Sequence, residues 1–211
     1  MRNIVFENIT DGNKVYIDCL QAILEGSKKD SMIDLGCNLA PHTPKFGFKE
    51  RKYIDLIQRE LDHKEEQQYF TQADILDTPL DKKYDVAFSL DCIEHLTIPN
   101  GLKLLDIMST ISDKQILFTP LDDIFGMDYD TDNPESHRSL WKPEIIEKYF
   151  PNQYIFITFP RFHSVWNGGA FFFYSIKGFD IDAEFNKVYN NLKKYEWATS
   201  YFLSKGVSNI S

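Results

Sequence analysis

Small and acidic residues follow the short apolar runs of this sequence, where a ligand site at the edge of a sheet would need them. The first such run ends in Asp34 and Gly36, and Asn38 and Ala40 stand where further glycines are common in ligand-binding turns. Glycine serves in these turns because they need a positive φ and a close approach of the backbone to the ligand. Asn tolerates the left-handed conformation best after Gly, and Ala has the smallest side chain that keeps a Cβ, so both are acceptable substitutes.

Further candidates follow the next three apolar runs. Asp55 stands 19 residues after Gly36, and an acidic residue at about this distance from a glycine turn is placed to bind ribose hydroxyls. The alternative for Asp55 is a helix cap, since an acidic residue after an apolar run is common. Asp74 ends the third run, and Ser89 and Asp91 end the fourth.

The elements that would position these residues alternate between strands and helices. Helical stretches are predicted at 101–111 and 142–149. Most apolar runs are continuous rather than alternating, which favours parallel strands covered on both faces. The pattern predicts an α/β, Rossmann-like fold with a seven-stranded, mostly parallel sheet and helices on both faces. The seven strands are predicted at 31–35, 53–57, 69–73, 84–90, 115–119, 154–159 and 170–176.

The two ends of the sequence are expected to depart from this alternation. The last two strands are joined by a short Gly-containing loop with no room for a crossover helix, so they should form an antiparallel hairpin. A lead-in helix is predicted within residues 1–29, and residues 180–211 are predicted to form a helical extension. With 211 residues, we expect a single domain with one sizeable core.

Composition and charge exclude some classes of protein. The formal net charge is −9, and the longest basic runs are isolated pairs, whereas a protein that tracks a phosphate backbone normally shows a basic stripe. Nucleic acid is therefore a poor candidate for the substrate. Three widely separated cysteines show no metal spacing. The longest apolar run, at 170–176, is too short to span a bilayer, and we expect a cytoplasmic protein.

Five stretches of the sequence resemble the successive motifs of the class I S-adenosylmethionine-dependent methyltransferases. They are MIDLGCNLA, YIDLI, ADILDTPLDKKYDVAFSLDCIEHL, QILFTPL and HRSLWKPEIIEKYF. The resemblance covers residues 10–177, and YDVAFSLDCIEHL is similar to the fourth-strand motif of small-molecule and glycan-type members. It implies S-adenosylmethionine as the cofactor and a small molecule, a sugar or another non-nucleic-acid compound as the methyl acceptor.

The resemblance also implies roles for the residues of the first two motifs. Asp34 and Gly36 would lie under the methionine part of the cofactor, and Asn38 and Ala40 would complete the turn. Asp55 would bind the ribose hydroxyls. The sequence departs from the family in having one glycine in this turn.

The third and fourth motifs would contact the rest of the cofactor. Asp74 would face the adenine amino group while the backbone of Ile75 meets the ring, and Ser89 and Asp91 would line the site near the sulfonium.

Prolines and a glycine between Gly36 and the second strand leave little room there for regular helix.

Three other functions compete with this interpretation. An NAD-type dehydrogenase needs close backbone approach to a pyrophosphate, which Asn38 and Pro41 oppose, whereas S-adenosylmethionine has no phosphate. A degenerate member could have lost turnover and serve as a binding or assembly module. A protein or nucleic-acid methyltransferase is the third possibility, but an N-P-P-Y-type signature is absent after the fourth strand.

Histidines supply the candidates for proton transfer. His137 and His95 are predicted to act as the base, with His163 as a third candidate, because neutral imidazole accepts protons near pH 7. The loops at 120–141 and 161–169 should rise over the site and select the substrate. Three aromatic side chains could form an apolar wall of the site or belong to the core, namely Trp141, Phe162 and Trp166.

A metal site is the last possibility that the sequence raises. Asp91, Glu94 and His95 have i, i+3, i+4 spacing, which a helix beginning there would gather on one face. The spacing resembles an E-x-x-E-H arrangement with which some quinone-pathway and RNA-end methyltransferases hold a divalent ion. The commoner alternative is local packing and hydrogen bonding, and on that basis we predict no metal.

Overall fold

The computed structural model describes most of the chain. The described residues are 2–6, 11–80, 82–121, 132–149, 154–163, 168–176, 178, 180–195 and 198–202, with backbone alone described for 147, 149, 161–163, 168, 176 and 199–202.

The described strands form one mixed sheet of nine strands. Their order across the sheet is β4-β3-β2-β5-β6-β8-β7-β1-β9. All seven strands predicted from the sequence are present, so the predicted α/β fold is confirmed, and two additional strands extend one edge. The strands are β1 Arg2–Phe6, β2 Ser31–Leu35, β3 Glu50–Asp55, β4 Phe70–Gln72, β5 Tyr84–Leu90, β6 Ser112–Pro120, β7 Tyr154–His163, β8 Gly168–Ile176 and β9 Ala198–Phe202.

The sheet reverses its order of growth between β2 and β5. From β2 the chain builds outward through β3 to β4, all parallel, and then returns to pair β5 with the other side of β2, also in parallel. Strand β8 is antiparallel to both β6 and β7, as the short connecting loop predicted. In open sheets of this kind, ligands bind beyond the carboxyl ends of the strands at the point of reversal.

Strands β1 and β9 are the part of the sheet that the sequence analysis missed. Strand β1 pairs in parallel with β7, and β9 pairs antiparallel with β1. The prediction of a helix through the whole C-terminal segment is therefore wrong for Ala198–Phe202. The helix of this segment, Ile181–Leu192, ends six residues before β9 begins. The amphipathic pattern that suggested a longer helix lies within these residues.

Four described helices cover the two faces of the sheet, as predicted. Helices α1 and α4 pack on one face over Val86, Phe118 and Phe172. Helices α2 and α3 pack on the other face, where Leu117 and Phe171 belong to a second core. No described helix is both long enough and apolar enough to cross a membrane. The helices are α1 Gly12–Leu24, α2 Ile98–Ile111, α3 Pro143–Tyr149 and α4 Ile181–Leu192.

Short 3-10 turns replace helices in the first half of the sheet. Thr43–Phe46 connects β2 to β3, and Lys64–Tyr69 connects β3 to β4. The first turn begins with Pro44 near its start and ends at Gly47, whose φ of +71° is left-handed. The prediction that prolines and glycine leave little regular helix in this connection is confirmed.

A buried lysine fastens helix α4 to the sheet. Lys114 of β6 donates hydrogen bonds to the carbonyl of Ile23 at 2.6 Å and to the Glu184 carboxylate of α4 at 3.0 Å. Lys187 also donates to Glu184, at 2.7 Å and 2.8 Å. The segment after β8 is thus held by a compensated buried charge rather than by apolar packing alone.

Candidate functional site

A cavity of about 530 Å³ opens at the carboxyl ends of β2, β3 and β5, where the order of the sheet reverses. This volume lies within the range typical of pockets for small molecules and cofactors. Seven of the residues predicted for the site line the cavity: Gly36, Asn38, Asp55, Asp74, Ile75, Asp91 and His95.

The turn after β2 contains three left-handed residues within five positions. Gly36, Asn38 and Ala40 have φ of +72°, +48° and +46°. The interpretation of Asn38 as a left-handed residue in a glycine's place is confirmed, and Ala40 has the same conformation. A Cβ at Gly36 would lie 2.1 Å from Sγ of Cys92, so this position excludes every side chain.

Asp55 at the end of β3 joins this turn to the next strand. Its Oδ2 accepts a hydrogen bond of 2.8 Å from the backbone N–H of Asn38, and its Oδ1 accepts one of 2.9 Å from that of Ile57. Each carboxylate oxygen has a second lone pair. The carboxylate can therefore fix the turn and still accept hydroxyl donors from a ligand in the cavity.

The residues after β4 form the far wall of the cavity. The exposed Asp74 accepts a hydrogen bond of 2.8 Å at Oδ1 from the backbone N–H of Leu76, while Ile75 is buried. Both Asp74 and Ile75 line the cavity. The wall thus offers the apolar side chain of Ile75 beside the carboxylate of Asp74, whose Oδ1 already accepts a hydrogen bond.

The chain after β5 forms a short turn before the next helix begins. Asp91 is left-handed with φ of +52°, a single 3-10 turn covers Ile93–His95, and α2 begins at Ile98. The helix that would gather Asp91, Glu94 and His95 on one face is therefore not formed. The reason is Pro99: a proline is favourable in a first helical turn, but inside a helix it lacks the N–H donor and clashes with the carbonyl four residues earlier, so a helix from Ile93 could not continue through it.

Glu94 is the most deeply placed acidic side chain of this turn. Its Oε2 accepts a hydrogen bond of 2.9 Å from Oγ1 of Thr119, at the end of β6. Burial and the neighbouring Asp91 carboxylate raise the pKa of Glu94 above its ordinary value. Asp91 is exposed and lines the cavity.

The segment after β6 is held over the site by backbone hydrogen bonds to Glu94. The carbonyl of Glu94 accepts from the N–H of Arg138 at 2.8 Å and from that of Ser139 at 3.0 Å. Trp141 is fully buried and donates from Nε1 to Oγ of Ser139 at 2.7 Å. Trp141 therefore belongs to the core, and it anchors the segment that carries His137.

His137 and His95 lie side by side as a result. Their ring centroids are 5.0 Å apart with the planes nearly perpendicular, at 78°. Nδ1 of His95 lies 3.3 Å from the carbonyl of Ser136, a contact in which Nδ1–H donates and Nε2 keeps its lone pair. Burial lowers the pKa of His95, so its imidazole is neutral at pH 7.

An ion pair joins two loops at the rim of the cavity. Arg59, in the connection after β3, pairs with Glu135, in the segment after β6. Both side chains line the cavity, as does Arg138. Neither Arg59 nor Glu135 was predicted, because the partners are 76 residues apart in sequence and no local pattern marks them.

Four of the predicted residues do not line the cavity. Asp34, Ala40 and Ser89 are buried behind it, with exposures of 2%, 2% and 0%. His137 lies behind His95. The side chains of Phe162, His163 and Trp166 lie outside the described part of the structure, so their predicted roles stay predictions.

Asp34 nevertheless has an unusual environment for a carboxylate. Its Oδ2 accepts a hydrogen bond of 2.7 Å from Oγ1 of Thr43, and its Oδ1 is buried with no partner among the described residues. Burial, with a smaller effect of the nearby Asp55, raises the pKa of Asp34 to about 7. A donor or cation delivered to Oδ1 would satisfy this group.

Solved structures of methyltransferases share this fold. The methyltransferase domain of bacterial CtHen1 matches with a TM-score of 0.55 and 14% identity, over 79% of this chain and all of that chain. The N-methyltransferase NodS from Bradyrhizobium japonicum WM9, in complex with S-adenosyl-L-homocysteine, matches with a TM-score of 0.57 and 11% identity, over 78% and 87%. An S-adenosylmethionine-dependent methyltransferase from Clostridium acetobutylicum ATCC 824 matches with a TM-score of 0.56 and 16% identity, over 78% and 92%.

These likenesses concern the fold, because the identities are low. No protein-family model and no curated protein matches the sequence. The chain has the Rossmann-like fold of S-adenosylmethionine-dependent methyltransferases, as the sequence motifs predicted.

Proposed function

We propose that this chain is an S-adenosylmethionine-dependent methyltransferase whose acceptor is a small molecule or a glycan. The observation that carries the proposal is the turn Gly36–Ala40, which combines three left-handed residues with a hydrogen bond to Asp55 at the mouth of a cavity of suitable size. Structural neighbours with the same fold are methyltransferases, and several were crystallised with S-adenosylmethionine or S-adenosylhomocysteine.

The residues present fit this cofactor. Gly36 lines the cavity, and its missing side chain lets Cys92 pack directly against the turn. Asp55 would hold the ribose hydroxyls with its remaining lone pairs, and Asp74 and Ile75 would hold the adenine. Asp34, which is buried behind the cavity, would support the turn beneath the methionine part.

When bound, S-adenosylmethionine supplies an electrophilic methyl group on a positively charged sulfonium. The work of the protein is to orient the acceptor, exclude water and receive the proton that the acceptor loses. His95 is the better placed of the two predicted bases because it lines the cavity and keeps Nε2 available. His137 supports the ring of His95 from behind.

The charge of the cavity bears on the acceptor. Its wall carries five acidic side chains and two arginines, one of which is paired with Glu135. A polyanion would be repelled by such a wall. This supports a neutral or cationic acceptor over nucleic acid, in line with the net charge of −9. The acidic side chains are Asp55, Asp74, Asp91, Asp132 and Glu135.

Calorimetry with S-adenosylmethionine and S-adenosylhomocysteine tests the cofactor part of the proposal. We expect 1:1 binding of both, and no comparable binding of NAD, because the turn opposes a pyrophosphate. If neither ligand binds at millimolar concentration, the proposal is wrong. The acceptor part is tested with methyl-labelled S-adenosylmethionine and matched neutral, cationic and anionic acceptors; preferential labelling of a nucleic acid would contradict it.

A further inference from the structure

Three metal-binding side chains converge next to the cavity. One ligand atom from each of Glu94, His95 and His137 lies within 4.8 Å of the other two. We propose that these three residues form a binding site for one divalent transition-metal ion.

The hydrogen bonds around the cluster are those of a preorganised metal site. A metal-binding histidine usually donates its other ring N–H to a carbonyl or a carboxylate, which fixes the ring. Nδ1 of His95 has such a contact with the carbonyl of Ser136, at 3.3 Å. Glu94 is fixed in turn by Thr119, which donates a hydrogen bond to its Oε2.

The backbone of Glu94 holds the segment that carries His137, the third of the proposed ligands. Arg138 and Ser139, which directly follow His137, donate their N–H groups to the carbonyl of Glu94. His95 and His137, which have 41 residues between them in sequence, are thereby brought into one cluster. Imidazole and carboxylate bind such ions at about 2.1 Å, which requires donors as close together as these three.

Charge also favours a cation here. Glu94 is 3% exposed, and the described charge that acts on it most is the negative Asp91. A buried carboxylate beside another carboxylate is costly unless a proton or a cation compensates it. Asp91 itself is outside the three-donor cluster, so the site differs from the helical arrangement that the sequence suggested.

The donor set selects the class of metal. Two imidazoles and one carboxylate suit Zn²⁺, Mn²⁺, Fe²⁺ or Co²⁺, whereas Mg²⁺ and Ca²⁺ prefer oxygen ligands. Three protein ligands leave an open position, as in catalytic rather than structural sites. If the chain is a methyltransferase, as proposed above, a cation here would hold the acceptor oxygen beside the cavity, and His95 would then serve as a ligand instead of the base.

The test uses the full chain without a histidine tag, stripped with a chelator and titrated with Co²⁺ alone. We expect a visible d–d absorption band that saturates at one Co²⁺ per chain and is displaced by Zn²⁺. His95→Asn and His137→Asn should each weaken Co²⁺ binding by at least about 10-fold. His63→Asn is the matched control, because His63 has a neighbouring carboxylate, Glu65, but lies outside the cluster.

Two results would overturn the inference. One is the absence of saturable 1:1 binding of Co²⁺, Zn²⁺ and Mn²⁺ below millimolar concentration. The other is parent-like Co²⁺ affinity in either variant. Far-ultraviolet circular dichroism confirms folding, and the corresponding Gln variants replace any Asn variant that fails to fold.

Calorimetry with S-adenosylhomocysteine on the same samples separates this inference from the proposed function. If only this inference fails, the chelator-stripped parent chain still binds S-adenosylhomocysteine. Failure of the proposed function abolishes that binding and leaves the Co²⁺ band.

Discussion

The carboxylate of Asp55 accepts a hydrogen bond of 2.8 Å from the backbone N–H of Asn38, which joins the ends of β2 and β3 beside the cavity. Removing this carboxylate should break the hydrogen bond that holds the turn, and it should also remove the proposed acceptor for the ribose hydroxyls. Hydrogen bonds to a charged group contribute about 1.5–3 kcal/mol each. We therefore expect Asp55→Ala to weaken binding of S-adenosylhomocysteine by roughly 10-fold or more, measured by calorimetry.

The control for this variant is Asp62→Ala. Asp62 is an exposed acidic residue of the same connection between β3 and β4, and it does not line the cavity. The Asp62→Ala variant loses the same charge from the same loop. Its affinity for S-adenosylhomocysteine should stay within a factor of about two of that of the parent. Equal losses in the two variants would mean that net charge, rather than the contact with Asn38, determines affinity.

The approach of Cys92 to Gly36 makes a second prediction. In Gly36→Ala the new Cβ would lie 2.1 Å from Sγ and 2.7 Å from Cβ of Cys92, at a φ of +72°. We expect a loss of about 2–4 kcal/mol in the free energy of unfolding, measured with urea.

A double variant separates the steric part of this loss from the backbone part. Gly36→Ala combined with Cys92→Gly relieves the clash but keeps the left-handed Ala. The double variant should be destabilised by less than the sum of the two single changes. Strictly additive losses would show that the approach of Cys92 does not limit position 36.

Asn38 supplies a third prediction, because its φ of +48° is tolerated by Asn and Gly but not by branched residues. Asn38→Gly should bind S-adenosylhomocysteine within about threefold of the parent, since the contact with Asp55 uses the backbone N–H. Asn38→Val should lose at least about 1–2 kcal/mol of stability. Weak binding by the Gly variant, with stability unchanged, would instead assign a direct ligand contact to the Asn38 side chain.

Much of the fold was predictable because its signals are local. The continuous apolar runs at 31–35 and 84–90 could only be buried strands, and the short loop before β8 could only close a hairpin. Strands β1 and β9 were missed for a physical reason. Each is a five-residue segment whose pairing depends on the other and on β7, so neither carries a complete pattern by itself.

The site was predictable to the extent that it is built from strand ends. Asp55, Asp74 and Asp91 line the cavity because carboxyl ends of neighbouring parallel strands meet at one edge of the sheet. The pairing of Arg59 with Glu135 and the approach of His137 to His95 depend instead on the path of a long connection. The periodicity of apolar residues predicts local helices and strands, but it does not predict the path of a long connection.

The buried carboxyl of Asp34 makes stability depend on pH. Its pKa is about 7 in the folded chain and near 4 when unfolded. Because the folded state holds this proton more tightly, the contribution is fully present below about pH 4 and is lost as pH rises through 7. From pH 5 to pH 8 the parent should lose roughly 2–3 kcal/mol more of its free energy of unfolding than Asp34→Asn, which cannot ionise.

Urea unfolding of both proteins at the two pH values measures this difference. Asn keeps an acceptor for Thr43, so the variant should fold. Parallel pH dependence in the two proteins would show that Asp34 is ionised in the folded chain throughout this range.

The ion pair between Arg59 and Glu135 should govern how fast a ligand leaves the cavity. It links the connection after β3 to the segment after β6 at the rim, and the two side chains are 23% and 56% exposed. An ion pair at such a site contributes about 0.2–1 kcal/mol. Arg59→Gln and Glu135→Gln should therefore each speed dissociation of S-adenosylhomocysteine about 1.5- to 5-fold, measured by stopped flow or surface plasmon resonance.

The pairing itself is tested by combining the two changes. Because either substitution already breaks the bridge, the double variant should dissociate little faster than the single ones. About 0.5 M salt should bring the parent closer to the variants, since screening weakens the pair. Glu50→Gln breaks the exposed pair with Lys82, away from the cavity, and should leave dissociation unchanged. Additive effects of the two rim variants would mean that each contacts the ligand separately and that the bridge does not act as a closure.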